Sequence, residues 1–457
     1  MSIQTPRRAA RRAAAPAPTG LGDVLVPGDD GYEEARRTVG AVGSPALVVR
    51  PRDEAQVAAA VAHAGRAGLP LSVRSGGHGM TGRATNDGGM VVDLRHLDSV
   101  EVVDPRRRVV RVGAGATWGQ VAAALAPHGL AVTSGDTASV GVGGLTLGGG
   151  IGWMVRRHGL TVDNLVGARV VLPGGRTVTA SPERDAGLFW ALRGGGGIGV
   201  VTSLDLVAAR VDDVLFGALT FASGDPARLV AGWRDALREA DEELSSTLVL
   251  APAAGGAPPS ATVLVCASHD DPAAAARSLE PLRRLGTVVA DTVATVPYAQ
   301  VLADGEHPQQ VRIAARNVLV RRLDDDVVAS VVAAVTGDRP VMMAVRALGG
   351  AVARVLPDET AFAHRDAEAL VVGAALLSAD APDAAVDDAL AAWPRVAAHG
   401  SGAYVNFQGT ATAADLHAAY PPATLDRLRA VARSYDPGGL SVRHLEPVTD
   451  AAIGASS

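Results

Sequence analysis

The sequence predicts an α+β protein of more than one lobe, and three observations carry that reading. The chain has 457 residues, too many for one ordinary hydrophobic core. Its 53 glycines crowd between Gly76 and Gly199, where the backbone must turn sharply or come close to something. From about Val214 that texture gives way to longer alternating strands and helices, the pattern of a second α+β lobe.

The elements follow in order. Ala46 to Arg50 reads as a short strand, and Asp53 can cap a helix to about Gly65 with Val57, Ala60, Val61 and Ala64 on one face. Leu69 to Val73 is the next strand, and it leads into Arg74-Ser75-Gly76-Gly77-His78. Strands are expected at Met90–Leu94, Val100–Val103 and Val109–Val112, the last two joined through the turn pair Asp104-Pro105. Thr117 caps a helix to about Pro127, and Leu165–Leu172 with Arg176–Ala180 form a hairpin. Ser181-Pro182 has the cap-then-proline order of a helix start, and Gly199 to Leu206 is a strand.

In the second lobe strands are expected at Val214–Phe221, Ser246–Ala251, Thr262–Ala267, Val341–Ala347 and Leu370–Leu377. Helices are expected at Pro226–Ala240, Pro272–Leu285, Asp324–Val335 and Pro382–Ala398. The acidic run Asp324-Asp325-Asp326 suits a helix start facing the positive end of the dipole. A third composition begins after Gly402, with Tyr404-Val405-Asn406, a helix near Pro422–Arg433 and Tyr435-Asp436-Pro437.

Composition narrows the function. A net charge of −6 argues against a nucleic-acid binder, which needs a basic face to displace counterions. The single cysteine, Cys266, excludes an intrachain disulfide and a thiolate metal cage, and no other metal constellation stands out. No apolar run reaches the roughly 18 residues a membrane span needs. The segment from Arg7-Arg8 to Thr19 is basic and rich in Ala and Pro. A twin-arginine export signal would need an apolar stretch that does not follow, so a disordered tail over residues 1–20 and a cytoplasmic protein are expected.

Glycine-rich loops at 75–82, 141–152 and 194–199 suit a dinucleotide, which needs bare amides for its diphosphate and smooth walls for its rings. Gly194 to Gly199 matches the Rossmann G-x-G-x-x-G by letter. That fingerprint needs a strand before it and a helix after it, whereas here a helix precedes and a strand follows. Gly113-Ala114-Gly115 is a near-miss, its third glycine one place late.

With these motifs laid out, the sequence resembles the FAD-linked oxidases of the vanillyl-alcohol-oxidase, or PCMH-type, fold, in the berberine-bridge-enzyme-like and hydroxynicotine-oxidase-like branch. The resemblance rests on Pro70 to His78, on Val140-Gly141-Val142-Gly143-Gly144 with Gly148 to Gly152, on Asp163-Asn164 and on Gly199-Val200-Val201-Thr202. It returns at Tyr404 to Asn406 and at Tyr435 to Pro437, while Leu348 to Ala351 and Phe362 to Asp366 are similar to bacterial members.

The resemblance implies an FAD-binding lobe of two subdomains at 21–211 and an inserted antiparallel-sheet-and-helix substrate lobe at 212–400. A C-terminal segment at 401–457 would return to the first lobe. Arg74, Ser75, Gly76, Gly77, His78 and Gly79 would wrap the diphosphate, with His78 bonded covalently to the flavin. Gly135, Thr137, Val140, Gly141, Gly143, Gly144, Gly148, Gly149 and Gly152 would run along the isoalloxazine, and Gly199 and Val201 would hold the cofactor through their backbone. Without that company, His78 would read as a histidine capping a glycine turn.

Two departures from the family pattern stand out. The second flavin-linking cysteine of many relatives falls at Thr137, whose hydroxyl cannot replace a thiolate, so a single link through His78 is expected. The usual Asn-x-Phe stretch after Asp-Pro is replaced by Gly438-Gly439-Leu440-Ser441-Val442-Arg443.

The resemblance implies oxidation of a small-molecule or natural-product alcohol, with hydride passed to the flavin and molecular oxygen as acceptor, giving hydrogen peroxide. Oxidation of a cyclic amine and flavin binding without turnover are the alternatives. Tyr404 is the candidate base and Asn406 its orienting or flavin-facing partner. A phenol needs a lowered pKa for that task, and the alternative is a buried tyrosine whose hydroxyl is merely satisfied. Phe407 stands where relatives often have a second tyrosine. His158, His364 and His444 read as structural, and His364-Arg365-Asp366 as a hydrogen-bonding support of the substrate lobe. Nothing in the sequence sets an oligomeric state.

Overall fold

Short apolar strands and the helix capped by Asp53 build the first layer. In the computed structural model, strands Asp23–Leu25, Leu47–Arg50, Met90–Asp93 and Leu71–Arg74 lie side by side in that order. The last three are parallel, and Asp53 accepts the Gln56 amide at the start of helix Glu54–Ala67. The structure describes residues 20–211, 213–222, 224–253, 259–302, 311–378, 380–442 and 445. Residues 1–19 of the expected tail, and His444, lie outside them.

A second sheet is antiparallel throughout, in the order Val100–Asp104, Val109–Gly113, Val200–Val207, Leu165–Val171 and Thr177–Ala180. Thr117 caps helix Trp118–Leu125 with a full capping box. One apolar core unites these two sheets with helix Ala186–Leu192 and with Leu425, Leu428 and Ala432 of helix Pro422–Tyr435. The C-terminal helix therefore packs on the first lobe, more than 200 residues away in sequence.

The third sheet runs Val288–Asp291, Asp213–Phe221, Ser260–Ala267, Leu244–Ala251, Met342–Ala347, Ala369–Ser378 and Val311–Val320, with Ala294–Pro297 also paired to Asp213–Phe221. Every pairing is antiparallel. Helices Pro226–Glu239, Pro272–Arg283 and Asp325–Thr336 cover one face through a second core that includes Leu248, Val263, Val345 and Val371. Asp324 accepts the Val327 amide, as its place before the acidic first turn predicts.

Three expectations are corrected. Ser181-Pro182 does not open a helix; the Ser181 hydroxyl accepts the amides of Glu183 and Arg184 in a local turn, and the helix begins at Ala186. The single helix over Pro382–Ala398 is two, Asp383–Ala389 and Trp393–Ala397, because Pro394 has no N–H for the bond a continuous helix requires. Strand Val311–Val320 was not foreseen: Arg312, Arg316 and Asn317 interrupt its apolar run, which an edge strand tolerates.

Candidate active site

Strand Leu71–Arg74 delivers the first glycine loop to the turn after strand Val109–Gly113. The Ser75 hydroxyl donates to the Ala114 carbonyl at 2.6 Å. The Gly143 amide reaches the same carbonyl at 3.1 Å, and the Val142 amide reaches that of Ala116 at 2.8 Å. Gly113-Ala114-Gly115, the failed Rossmann match, thus ties the 75–79 and 141–144 segments together. A Cβ on Gly76 would stand 2.4 Å from the Gly141 nitrogen, and one on Gly141 would stand 2.1 Å from the Gly76 nitrogen. Only two glycines permit that approach.

Elsewhere the same loops face free space. A Cβ added at Gly79 or Gly144 would meet nothing within 4 Å. Arg74 donates to the Ala35 carbonyl at 2.8 Å and makes no ion pair among the described residues, although it remains a cation. Arg83, on the loop after His78, is also half-buried and without an ion pair among the described residues; burial lowers the pKa of both arginines. Bare amides, two open glycines and two cations without an ion pair among the described residues fit the diphosphate and flat rings of FAD.

The third segment meets the C-terminal one. A Cβ on Gly148 would overlap Asn406 at 2.1 Å, and one on Gly149 would stand 3.2 Å from the Tyr404 ring. Tyr404 is 2% exposed. Its phenol oxygen accepts the Gly150 amide at 2.9 Å, the Ile151 amide at 3.3 Å and the Asn406 side-chain amide at 2.9 Å. Burial raises the phenol's pKa, more than those hydrogen bonds lower it. Asn406 also donates to the Leu145 carbonyl at 3.0 Å. Asn317 holds the Tyr404 backbone at both ends, accepting its amide at 2.7 Å and donating to its carbonyl at 3.1 Å. The Phe407 ring lies 5.3 Å from the Tyr404 ring, edge-on.

Two residues that the sequence reading missed complete this seam. Arg346, from strand Met342–Ala347, forms an ion pair with Asp136, between Gly135 and Thr137 of the first lobe. Arg346 also donates to Thr247 Oγ1 at 3.1 Å and to the Ile151 carbonyl at 3.3 Å, and it lies over the Trp153 ring at 5.7 Å. Burial opposes the charge of Asp136, but the Arg346 guanidinium and hydrogen bonds from Arg346 and Thr137 hold its carboxyl below the usual range. The Thr137 hydroxyl donates to Asp136 at 3.1 Å. A lone Arg and a lone Asp carry no motif, so only their place beside Thr137 and Leu348-Gly349 could have flagged them.

Other expected residues are committed to the frame. The Gly199 amide donates to the Ser441 hydroxyl at 2.8 Å, and Val201 is buried in the first core. Asp436, 2% exposed, accepts from the Leu440 and Ser441 amides at 2.9 and 2.6 Å and from the Ser441 hydroxyl at 2.7 Å. The altered stretch after Pro437 therefore closes on the first lobe through its serine. His364 and Arg365 brace more than the substrate lobe. His364 Nε2 lies 3.1 and 3.0 Å from the Ala418 and Ala419 carbonyls, and Arg365 pairs with both oxygens of Asp163 at 2.8 Å. His78 is half-buried on its loop, beyond the Gly77 carbonyl that accepts the Val39 amide at 3.0 Å.

A family model, the FAD binding domain, matches residues 45–181. The chain is similar to (R)-6-hydroxynicotine oxidase of Paenarthrobacter nicotinovorans, 32% identical over 435 residues that span 91% of this chain and 94% of that protein. It belongs to the FAD-linked oxidases of the PCMH-type fold. Within that family its structure is similar to 6-hydroxy-D-nicotine oxidase from Arthrobacter nicotinovorans, with a TM-score of 0.82, 30% identity and coverage of 93% and 96% of the two chains. Glucooligosaccharide oxidase from Acremonium strictum, described with a 6-S-cysteinyl, 8α-N1-histidyl FAD, shares the fold at a TM-score of 0.79 and 24% identity over 93% and 97%. This FAD-dependent oxidase has no described helix long and apolar enough to cross a membrane.

Proposed function

We propose that this FAD-dependent oxidase carries its cofactor on a single covalent bond through His78 and removes hydride from a small-molecule alcohol, with molecular oxygen as acceptor. The observation that carries the reading is the junction of the His78 loop with the Gly141 loop, both hung on the Ala114–Ala116 turn, with open space at Gly79 and Gly144. Thr137 supports a single tether, because a threonine occupies the frame in which relatives place the second linking cysteine. FAD, when bound, supplies the hydride acceptor; the chain's own residues orient the substrate, exclude water and take up the hydroxyl proton. The proposed division of labour is cofactor binding by 21–211 and 401–457 and substrate binding by 212–400.

A second reading, oxidation of a cyclic amine, is favoured by Tyr404. Its oxygen accepts three hydrogen bonds and its pKa is raised, so it is poorly placed to deprotonate an alcohol. A neutral amine needs no such base. The similarity to (R)-6-hydroxynicotine oxidase supports the same reading. Acid precipitation of the purified holoenzyme tests the tether. Yellow colour should stay with the wild-type pellet and leave that of His78→Ala; colour that persists in the variant would place the bond elsewhere. Peroxide release on matched alcohols and amines separates the two readings.

A further inference from the structure

The face of the third sheet turned away from the helices carries a polarity gradient. Strand register sets it out in rows. Nearest the first lobe, Thr247 pairs with Arg346 and Arg346 with Leu370. One row out, Val249 pairs with Ala344, Ala344 with Val372, and Val372 with Asn317. The row beyond sets Met342 against Ala374 and Ala374 against Ala315. Val249, Ala344, Val372 and Ala374 are half-buried, Met342 is 39% exposed, and Leu376, farther along the same face, is 66% exposed.

These rows continue the candidate site. Val372 and Phe407 pack against the small apolar cluster that holds Ile151, Phe362 and Tyr404. The polar groups on this wall are few and largely engaged. Thr247 accepts from Arg346, the Asn317 amide is taken at both ends by the Tyr404 backbone, and three of the five Arg346 N–H donors are used. Asp136 offers the open acceptor: its side chain is 34% exposed, and its carboxylate keeps lone pairs beyond the bonds from Arg346 and Thr137. A polyhydroxylated molecule on this wall would leave most of its hydroxyls without partners, which site chemistry penalises heavily.

We infer that the substrate of this oxidase is a compact apolar molecule, aliphatic or aromatic, with a single hydrogen-bond-donating hydroxyl or amine directed to Asp136. Its body lies on Val249, Ala344 and Val372, and oligosaccharides are excluded. The inference rests on the oxidase reading for the position of the site, and its test has a readout besides turnover.

Purified holoenzyme is titrated anaerobically with 2-naphthylmethanol, 2-naphthylmethylamine and cellotriose, following the flavin difference spectrum for binding and flavin bleaching for oxidation. The naphthyl compounds should bind at least tenfold more tightly than cellotriose. Ala344→Asp should weaken naphthyl binding by tenfold or more, whereas Ala344→Val, which keeps the wall apolar, should retain it; the second variant guards against a folding defect in the first. Cellotriose binding as tightly as the naphthyl compounds, or naphthyl affinity unchanged in Ala344→Asp, would overturn the inference. Naphthyl binding without bleaching would count against the oxidation chemistry proposed above while leaving the apolar wall standing. Bleaching by cellotriose would do the reverse.

Discussion

The Tyr404 phenol oxygen accepts the Gly150 amide at 2.9 Å, a contact between residues 254 apart in sequence. With the Ile151 amide and Asn406 added, three donors converge on one oxygen. Tyr404 thereby pins the C-terminal segment onto the glycine stretch. Tyr404→Phe keeps the ring and leaves the buried Gly150 and Ile151 amides without this acceptor, while Asn406 keeps the Leu145 carbonyl. Thermal unfolding should show a loss of about 1–3 kcal/mol. If Tyr404 holds the frame, kcat should fall without a change in the shape of its pH profile; loss of the limb on which activity rises with pH would instead identify it as the base.

On the proposed single tether, Thr137 takes the place of a second linking cysteine; its hydroxyl bonds Asp136. Thr137→Cys should restore covalent attachment in the His78→Ala background, read as yellow colour retained in the acid-precipitated protein. Wild-type Thr137 in that background should leave the pellet colourless. A colourless pellet for the double variant would show that residue 137 does not face the flavin ring.

Local signals were legible in the sequence and distant pairings were not. Asp53, Thr117 and Asp324 each cap a helix that begins within three residues, so their chemistry is written beside them. The glycine loops could be assigned a ligand class because glycine's freedom is intrinsic. That Gly76 touches Gly141, and that Gly113-Ala114-Gly115 ties them, needed the fold. Arg346 and Asp136 lie 210 residues apart, and neither has a spacing that marks it as functional. Strand Val311–Val320 escaped because Arg312, Arg316 and Asn317 break its alternation, and only pairing with Ala369–Ser378 makes it a strand.

Arg365 and Asp163 form a bidentate pair at 2.8 Å, with side chains 2% and 9% exposed. Removing one partner strands a buried charge. Arg365→Ala should therefore cost about 3–5 kcal/mol in denaturant unfolding. The double replacement Arg365→Met with Asp163→Leu removes both charges at similar volume and should recover most of that loss. A single variant as stable as wild type would show that water reaches the pair.

His158 Nε2 is buried without a hydrogen-bond partner among the described residues. Burial first, and then Arg157, lowers its pKa from 6.5 to about 4. The folded protein keeps this imidazole neutral at a pH where the unfolded chain would protonate it. Between about pH 6.5 and 4 the unfolded state binds the extra proton, so stability rises with pH across that window and is lost on acidification. A shift of this size corresponds to roughly 3 kcal/mol by pH 4. His158→Gln removes the titrating group, so its unfolding free energy should fall less steeply than wild type from pH 6.5 to 4, and the two curves should run parallel above pH 7. Parallel curves over the whole range would show that His158 does not titrate in that window.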